Sequence, residues 1–465
     1  MNITFHGAAE TVTGSKHLIQ TDRFKILLDC GMFQGHGAES DELNRHLGFD
    51  PRSIDALLLS HAHIDHAGLI PALVAQGFRG PIFCTPATKD LCKIMLEDSA
   101  HIQESDIRYL NKRRVARGEK PLKPLYTTDD VFNCLKYFKV IAYDKKTEIL
   151  DGVSVIFTDA GHILGSAMVN VEIQENNQIK KITFTGDIGR QNPRIIRKPQ
   201  PFPQCDILIT ESTYGDKLHD EETHSIDELL RIVIETCVMK KGKLIIPAFS
   251  VGRTQEVVYA LDRLQSEGRL PDIPVFVDSP LSTSATEIMR SHPECFNEDV
   301  QEYLKSDPDP FGFHKLQYIR DVSKSKELNH LKTPAIIISA SGMAEAGRIK
   351  HHIANNIGKP STTILIVGHC EEGSLGYRLT RGDERVKIFG ELYDRRAHIE
   401  VMGSFSAHGD YQEMIQALSC INPQLVQHTF LVHGDKEVLP VWKSRLKGEG
   451  FNNITIAEKG KTYSI

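Results

Sequence analysis

Short apolar stretches, alternating or continuous, recur along the chain and are punctuated by glycine, proline or acidic turns. Ile3-Thr4-Phe5, His17-Leu18-Ile19-Gln20-Thr21 and Phe24-Lys25-Ile26-Leu27-Leu28 read as strands, with Thr21-Asp22-Arg23 as a hairpin turn. Ala56-Leu57-Leu58-Leu59 is continuously apolar, which suits a strand buried on both faces. Gly68 to Val74 then predicts a helix, Pro81 to Thr85 another strand, and Ala87 to Ser99 a longer helix. Val153 to Phe157 alternates as a strand, and Ile182 to Thr185 and Leu208 to Thr210 follow. Beyond these, the runs at 245–249, 336–343 and 364–368 are apolar strands followed by glycine-containing turns and helix starts. That second rhythm predicts buried parallel strands alternating with helices, a doubly wound αβα domain.

Candidate chemistry gathers at the ends of these runs. His61, His63, Asp65 and His66 fall within six positions, directly after the run at 56–59. In an extended chain, His61 and His63 point to one side and are expected to share an ion. The turn into the helix swings Asp65 and His66 towards a second ion. Imidazole with carboxylate oxygen suits zinc best among common divalent ions. Asp29 closes a strand, where an aspartate either forms the turn or accepts the other N–H of a ligand histidine. His162 lies between Gly161 and Gly165, and Asp187 between Gly186 and Gly189, each at a strand end where glycine permits a tight, open loop. Glu211 ends the strand Leu208-Ile209-Thr210. His408 stands in Ser404-Phe405-Ser406-Ala407-His408-Gly409-Asp410 and His433 in Leu431-Val432-His433-Gly434-Asp435.

Composition then narrows the class. A chain of 465 residues exceeds one ordinary core, so two domains are expected. No apolar run approaches the roughly 20 residues of a membrane helix, and the N-terminus lacks a secretion pattern. Nine cysteines without a C-x-x-C pair predict reduced thiols in a cytoplasm and argue against a cysteine zinc site. A net charge of −6 argues against nonspecific coating of nucleic acid but allows a local basic groove. Lys112, Arg113, Arg114, Arg117, Lys120 and Lys123 crowd around Gly118, Pro121 and Pro124, as a solvated helical arm or a phosphate-contacting one. Arg253 and Arg348 follow glycines at helix starts, as phosphate ligands or ordinary surface arginines.

The set His-x-His-x-Asp-His, then His162, then Asp187 resembles the signature of the metallo-β-lactamase superfamily. Glu211, His408 and His433 match in order the three further motifs of its β-CASP nucleases, in the branch holding the endonuclease subunit of the pre-mRNA cleavage and polyadenylation machinery and its prokaryotic relatives. The resemblance implies an α/β protein, an αββα metallo-β-lactamase sandwich with an inserted doubly wound αβα β-CASP domain. The sandwich would take residues 1–215 and 397–465, and the insertion 216–396. Two Zn2+ per chain are implied: His61, His63 and His162 on one, Asp65, His66 and His433 on the other, and Asp187 bridging. Hydrolysis of phosphodiester bonds in single-stranded RNA, by endonucleolytic attack of a hydroxide between the metals, is the implied reaction. His408 would be the general acid, Glu211 would orient it, and Asp65 would join them in the catalytic set. A thioester- or lactam-type hydrolase or a DNA-directed nuclease would share the metal set, whereas a long inserted domain suits a strand of nucleic acid. The expected setting is cytoplasmic, without membrane contact, and compatible with a homodimer.

Overall fold

Apolar runs of three to nine residues cannot cover themselves and so pair into sheets that share cores. The computed structural model describes residues 1–35, 38–175, 178–219, 225–368, 370, 373–402 and 406–465. The chain divides into two units, Met1–Leu218 with His408–Ile465, and His219–Ala407.

The first unit holds two seven-stranded sheets. One runs Thr462–Ser464, Asn2–Phe5, His17–Gln20, Lys25–Leu28, Ala56–Leu58, Ile82–Cys84, Phe138–Val140, antiparallel as far as Lys25–Leu28 and parallel beyond it. The other runs Ile454–Ile456, His428–Leu431, Ile207–Thr210, Gln178–Phe184, Ala167–Glu175, Val153–Asp159, Thr147–Leu150, with its first four strands parallel and the rest antiparallel. The halves mirror one another.

Ile3, Phe5, Ile19, Ile26 and Leu28 meet Val155, Phe157, Val169, Phe184, Ile209 and Phe430 in the core between the sheets. Outside the second sheet, helices Tyr411–Leu418 and Val438–Gly448 press Met414, Leu418, Trp442 and Leu446 onto Leu208 and Leu431. Helices Ile70–Ala75, Pro86–Ala116 and Thr128–Cys134 bury Leu73, Leu91 and Val131 on the first sheet's side. Together these layers make the αββα sandwich. Its parallel strands Lys25–Leu28, Ala56–Leu58, Gln178–Phe184, Ile207–Thr210 and His428–Leu431 release at their C-terminal ends the loops bearing Asp29, residues 59–66, Asp187, Glu211 and His433.

The second unit is built on a six-stranded parallel sheet, Leu316–Tyr318, Val275–Val277, Ala335–Ser339, Lys243–Pro247, Thr363–Ile366, His398–Val401. Ile245, Ile364 and Ile366 pack on one side against Ile349 and Ile353 of helix Arg348–Asn356. Helix Arg253–Ser266 buries Val257, Val258 and Leu261.

Three expectations change. The strand His398–Val401 pairs with Thr363–Ile366, so residues 397–402 fold with the insertion, while 216–218 stay with the first unit. The helix expected to stop at Ser99 continues to Ala116, because no glycine or proline interrupts it before Gly118. The strand before the histidine cluster stops at Leu58 and does not include Leu59, and His61 and His63 follow it outside the sheet, still converging on one another at 3.1 Å. Ser404 and Phe405 lie outside the described residues. No helix among the described residues is long and apolar enough to cross a membrane.

Candidate metal centre

The loop after Leu58 is held in shape from below by Asp29. Asp29 sits at φ +58°, and its carboxylate accepts from Ser60 N at 2.8 Å, from Ser60 Oγ at 2.9 Å and from His66 Nδ1 at 2.6 Å. The imidazole of His66 is thereby fixed with Nε2 towards the cluster. Ser15 N donates to Asp65 O and Cys30 N to His66 O, each at 2.8 Å. Gly31 passes so close that a Cβ would lie 1.6 Å from Asp65 O. Across the site, a Cβ on Gly189 would lie 1.7 Å from Gly161 O, which is why the His162 and Asp187 loops can touch.

Four donors converge first. His63 Nδ1 lies 3.1 Å from both His61 Nε2 and His162 Nε2, and Asp187 Oδ2 lies 3.4 Å from each of those two Nε2 atoms. A tetrahedral zinc with bonds of about 2.0–2.1 Å requires ligand separations of about 3.3–3.4 Å, so this set fits one ion. The second set is Asp65, His66 and His433. His433 Nε2 is 3.3 Å from His66 Nε2 and 3.4 Å from Asp65 Oδ2, and the last two atoms are 3.9 Å apart. Asp187 Oδ1 faces this set at 3.2 Å from His66 Nε2 and is buried without a hydrogen bond. An orphaned carboxylate oxygen aimed at three ligand-type side chains fits a bridge between two cations.

The protonation states agree with ligation. Burial pushes His61 down to about 3, and it also lowers His63 and holds His162 far below its usual range. Asp187 stays ionised well below the carboxylate range: burial opposes this, but His433, His66 and His61 outweigh it. Asp65 is likewise lowered against burial, through its hydrogen bond from His433. Neutral imidazoles and ionised carboxylates are the forms that bind metal. His66 is the exception. Asp187 and Asp29 overcome burial and raise it well above its usual value, so binding of an ion there would require loss of a proton.

Beside the ligands lies a third group. His408 Nδ1 is 3.3 Å from Glu211 Oε2, and His408 Nε2 is 3.9 Å from Asp187 Oδ2. Burial disfavours the imidazolium, but Glu211 dominates and lifts His408 to about 9. Glu211 is fully buried; Ile188 N and Thr213 N donate to its carboxylate, and Trp442 Nε1 donates to its carbonyl at 3.1 Å.

Two contributors escape sequence reasoning. Ser60 bonds Asp29, and Thr213 Oγ1 lies 3.0 Å from His433 Nδ1, which turns the other ring nitrogen towards Asp65. Their only sequence signal is adjacency, to His61 and to Glu211. The two arginines are placed otherwise. Both are in the inserted unit. Arg348 donates to Asp278 Oδ1 at 2.7 Å and to the carbonyls of Ile319 and Arg320, and Arg253 is buried and paired with Glu256. In both, the guanidinium contacts shown are made within that unit.

Comparison with known proteins adds the ancestry. Residues 13–239 match the metallo-beta-lactamase superfamily, 254–379 the Beta-Casp domain, and 392–456 the Zn-dependent metallo-hydrolase RNA specificity domain. Ribonuclease TTHA0252 of Thermus thermophilus is 33% identical over 442 residues, 94% of each chain. Transcription termination factor FttA of Methanosarcina mazei is 29% identical over 455 residues, 94% of this chain and 67% of that one. Endoribonuclease ysh1 of Schizosaccharomyces pombe is 28% identical over 96% of this chain and 56% of its own length. Identity that runs almost end to end, through both the sandwich and its insertion, places the chain in the β-CASP family of the metallo-β-lactamase superfamily.

Proposed function

We propose that the protein is a zinc-dependent ribonuclease that hydrolyses internal phosphodiester bonds of single-stranded RNA with two Zn2+ per chain. The observation that carries this reading is the Glu211–His408 pair, an imidazole held by a buried carboxylate beside two groups of ligand-type side chains that Asp187 faces with both oxygens. Relatives named as a ribonuclease and an endoribonuclease support RNA as the substrate. A bound pair of divalent ions supplies an activated water and neutralises phosphate charge.

The chain's own residues do the rest. Glu211 holds His408 Nδ1–H, which leaves Nε2–H to donate to the departing O3′ oxygen. Glu211 keeps its orientation through Ile188 N, Thr213 N and Trp442. Asp29 and Thr213 fix the rings of His66 and His433, so no reorganisation is needed as charge develops.

The test is cleavage of an internally labelled, 5′-blocked single-stranded RNA and of the matching DNA, with metal analysis of the same preparation. Internal cuts in RNA with about two zincs per chain are expected. Full metal loading with neither nucleic acid cut, and turnover of a thioester or lactam instead, would refute the proposal.

A further inference from the structure

The helix that opens at Pro86 has two unlike halves. Ala87, Leu91, Cys92, Leu96 and Ala100 are buried, whereas none of residues 101–125 is. Between 101 and 123, seven Lys or Arg stand against three Asp or Glu, in a chain whose net charge is −6. Charge of that sign, concentrated on one exposed arm, is an electrostatic footprint for a polyanion.

The arm is a built element. Beyond Ala116 the chain folds back, and the Asn111 side chain clamps Leu122, accepting from its N at 2.8 Å and donating to its O at 2.9 Å. Arg114 Nε donates to Lys120 O and Arg45 Nη2 to Lys123 O, each at 3.0 Å. Arg108, Lys112, Arg113 and Arg117 are all exposed and, at four-residue spacing, flank Tyr109, whose side chain is also exposed. The Arg113 guanidinium lies 4.7 Å from the Tyr109 ring centroid and donates to its hydroxyl. Among the described residues, Arg114 pairs with Glu119, but none of Arg108, Lys112, Arg113 and Arg117 is ion-paired with a carboxylate. Unneutralised cations for phosphates, interleaved with an aromatic face for a base, are the chemistry of single-strand binding.

The arm is also tied to the metal centre. Thr85 Oγ1 and Thr88 Oγ1 at the helix start donate to Gly165 O at 2.7 and 2.8 Å, three residues beyond His162. At 1.5 Å per residue, Arg108 to Arg117 lie about 33–46 Å along the axis from Pro86.

We propose that this face is an accessory RNA-binding surface, which grips the strand at a distance from the metal centre and favours long substrates. The inference rests on the RNA reading above. The test compares the full chain with a variant carrying Arg108→Ala, Lys112→Ala, Arg113→Ala and Arg117→Ala, with a Tyr109→Ala variant alongside. Binding is read in a His408→Ala background, which keeps the RNA intact, and cleavage in the active one. With RNA of about 30 nucleotides, the quadruple variant is expected to bind about tenfold or more weakly, to raise KM and not to change kcat. Its log Kd against log salt loses a slope of about 3, at about 0.7 per phosphate contact. With RNA of about 3 nucleotides, far shorter than the roughly 33 Å from Pro86 to Arg108, both variants match the parent. Equal defects on both lengths, or none on either, overturn the proposal, as does unchanged RNA binding with loss of a protein partner. Failure of the parent itself to bind or cut either RNA defeats the RNA reading instead.

Discussion

Replacing His408 by alanine separates proton donation from metal binding. The donors of the first set lie 3.1–3.4 Å apart, whereas His408 Nε2 lies 3.9 Å from Asp187 Oδ2, on the Glu211 side of that carboxylate. Its Nδ1 is committed to Glu211. His408→Ala is therefore expected to retain the parent's metal content. A positioned general acid is worth about 10²–10⁴ in rate, or about 3–5 kcal/mol of barrier, and RNA cleavage should fall by that factor with little change in KM. A phosphodiester with a nitrophenyl leaving group departs as an anion without a proton. On that substrate the variant should approach parental activity. His433→Ala removes one of three side chains of the second set and should lose metal and fail on both substrates. Metal loss in His408→Ala matching that of His433→Ala, or an equal defect on RNA and on the nitrophenyl ester, would show that His408 is a ligand and not the acid.

Three further expectations follow from the same contacts. Asp29→Asn leaves His66 Nδ1 facing an amide in place of a carboxylate, and metal affinity measured by chelator competition should drop about 10–100-fold. Trp442→Ala empties a fully buried site and frees the Glu211 carbonyl, so denaturant titration should record a loss of about 3–5 kcal/mol; a loss under 1 kcal/mol would contradict the packing described. In the inserted unit, burial raises Asp262 to about 7 against about 3.9 in an unfolded chain. The folded state keeps a proton that the unfolded state has lost. Stability should thus decline as pH rises from about 4 to about 7 and level off above, and Asp262→Asn should flatten that slope.

The ligand cluster is legible in sequence because its grouping is local. Four ligand types in six residues after an apolar run need no long-range knowledge, and His162 and Asp187 announce themselves by flanking glycines. The two sheets follow from runs whose burial on both faces requires parallel pairing with helical cover. What sequence conceals is contact across distance. Trp442 reaches Glu211 over 231 positions and Arg348 reaches Asp278 over 70, so one partner looked like plain core and the other like a free surface cation. Past Ser99 the polar second half of the helix has no buried face, so the apolar periodicity fades while the hydrogen bonding continues, and only the charge run at 112–123 marks an arm there.

The order in which the first unit is threaded bears on how the protein is made. Residues 1–218 carry His61, His63, His162 and Asp187, but His408 and His433 arrive only after the insertion has been traversed. The strands His428–Leu431 and Ile454–Ile456, which finish the second sheet, are synthesised with them. A chain emerging N-terminus first from a ribosome therefore presents the residues of one candidate metal set well before His408 and His433, which follow the insertion. Threaded in this way, the two parts of the candidate site can come together only after the inserted unit between them has been made.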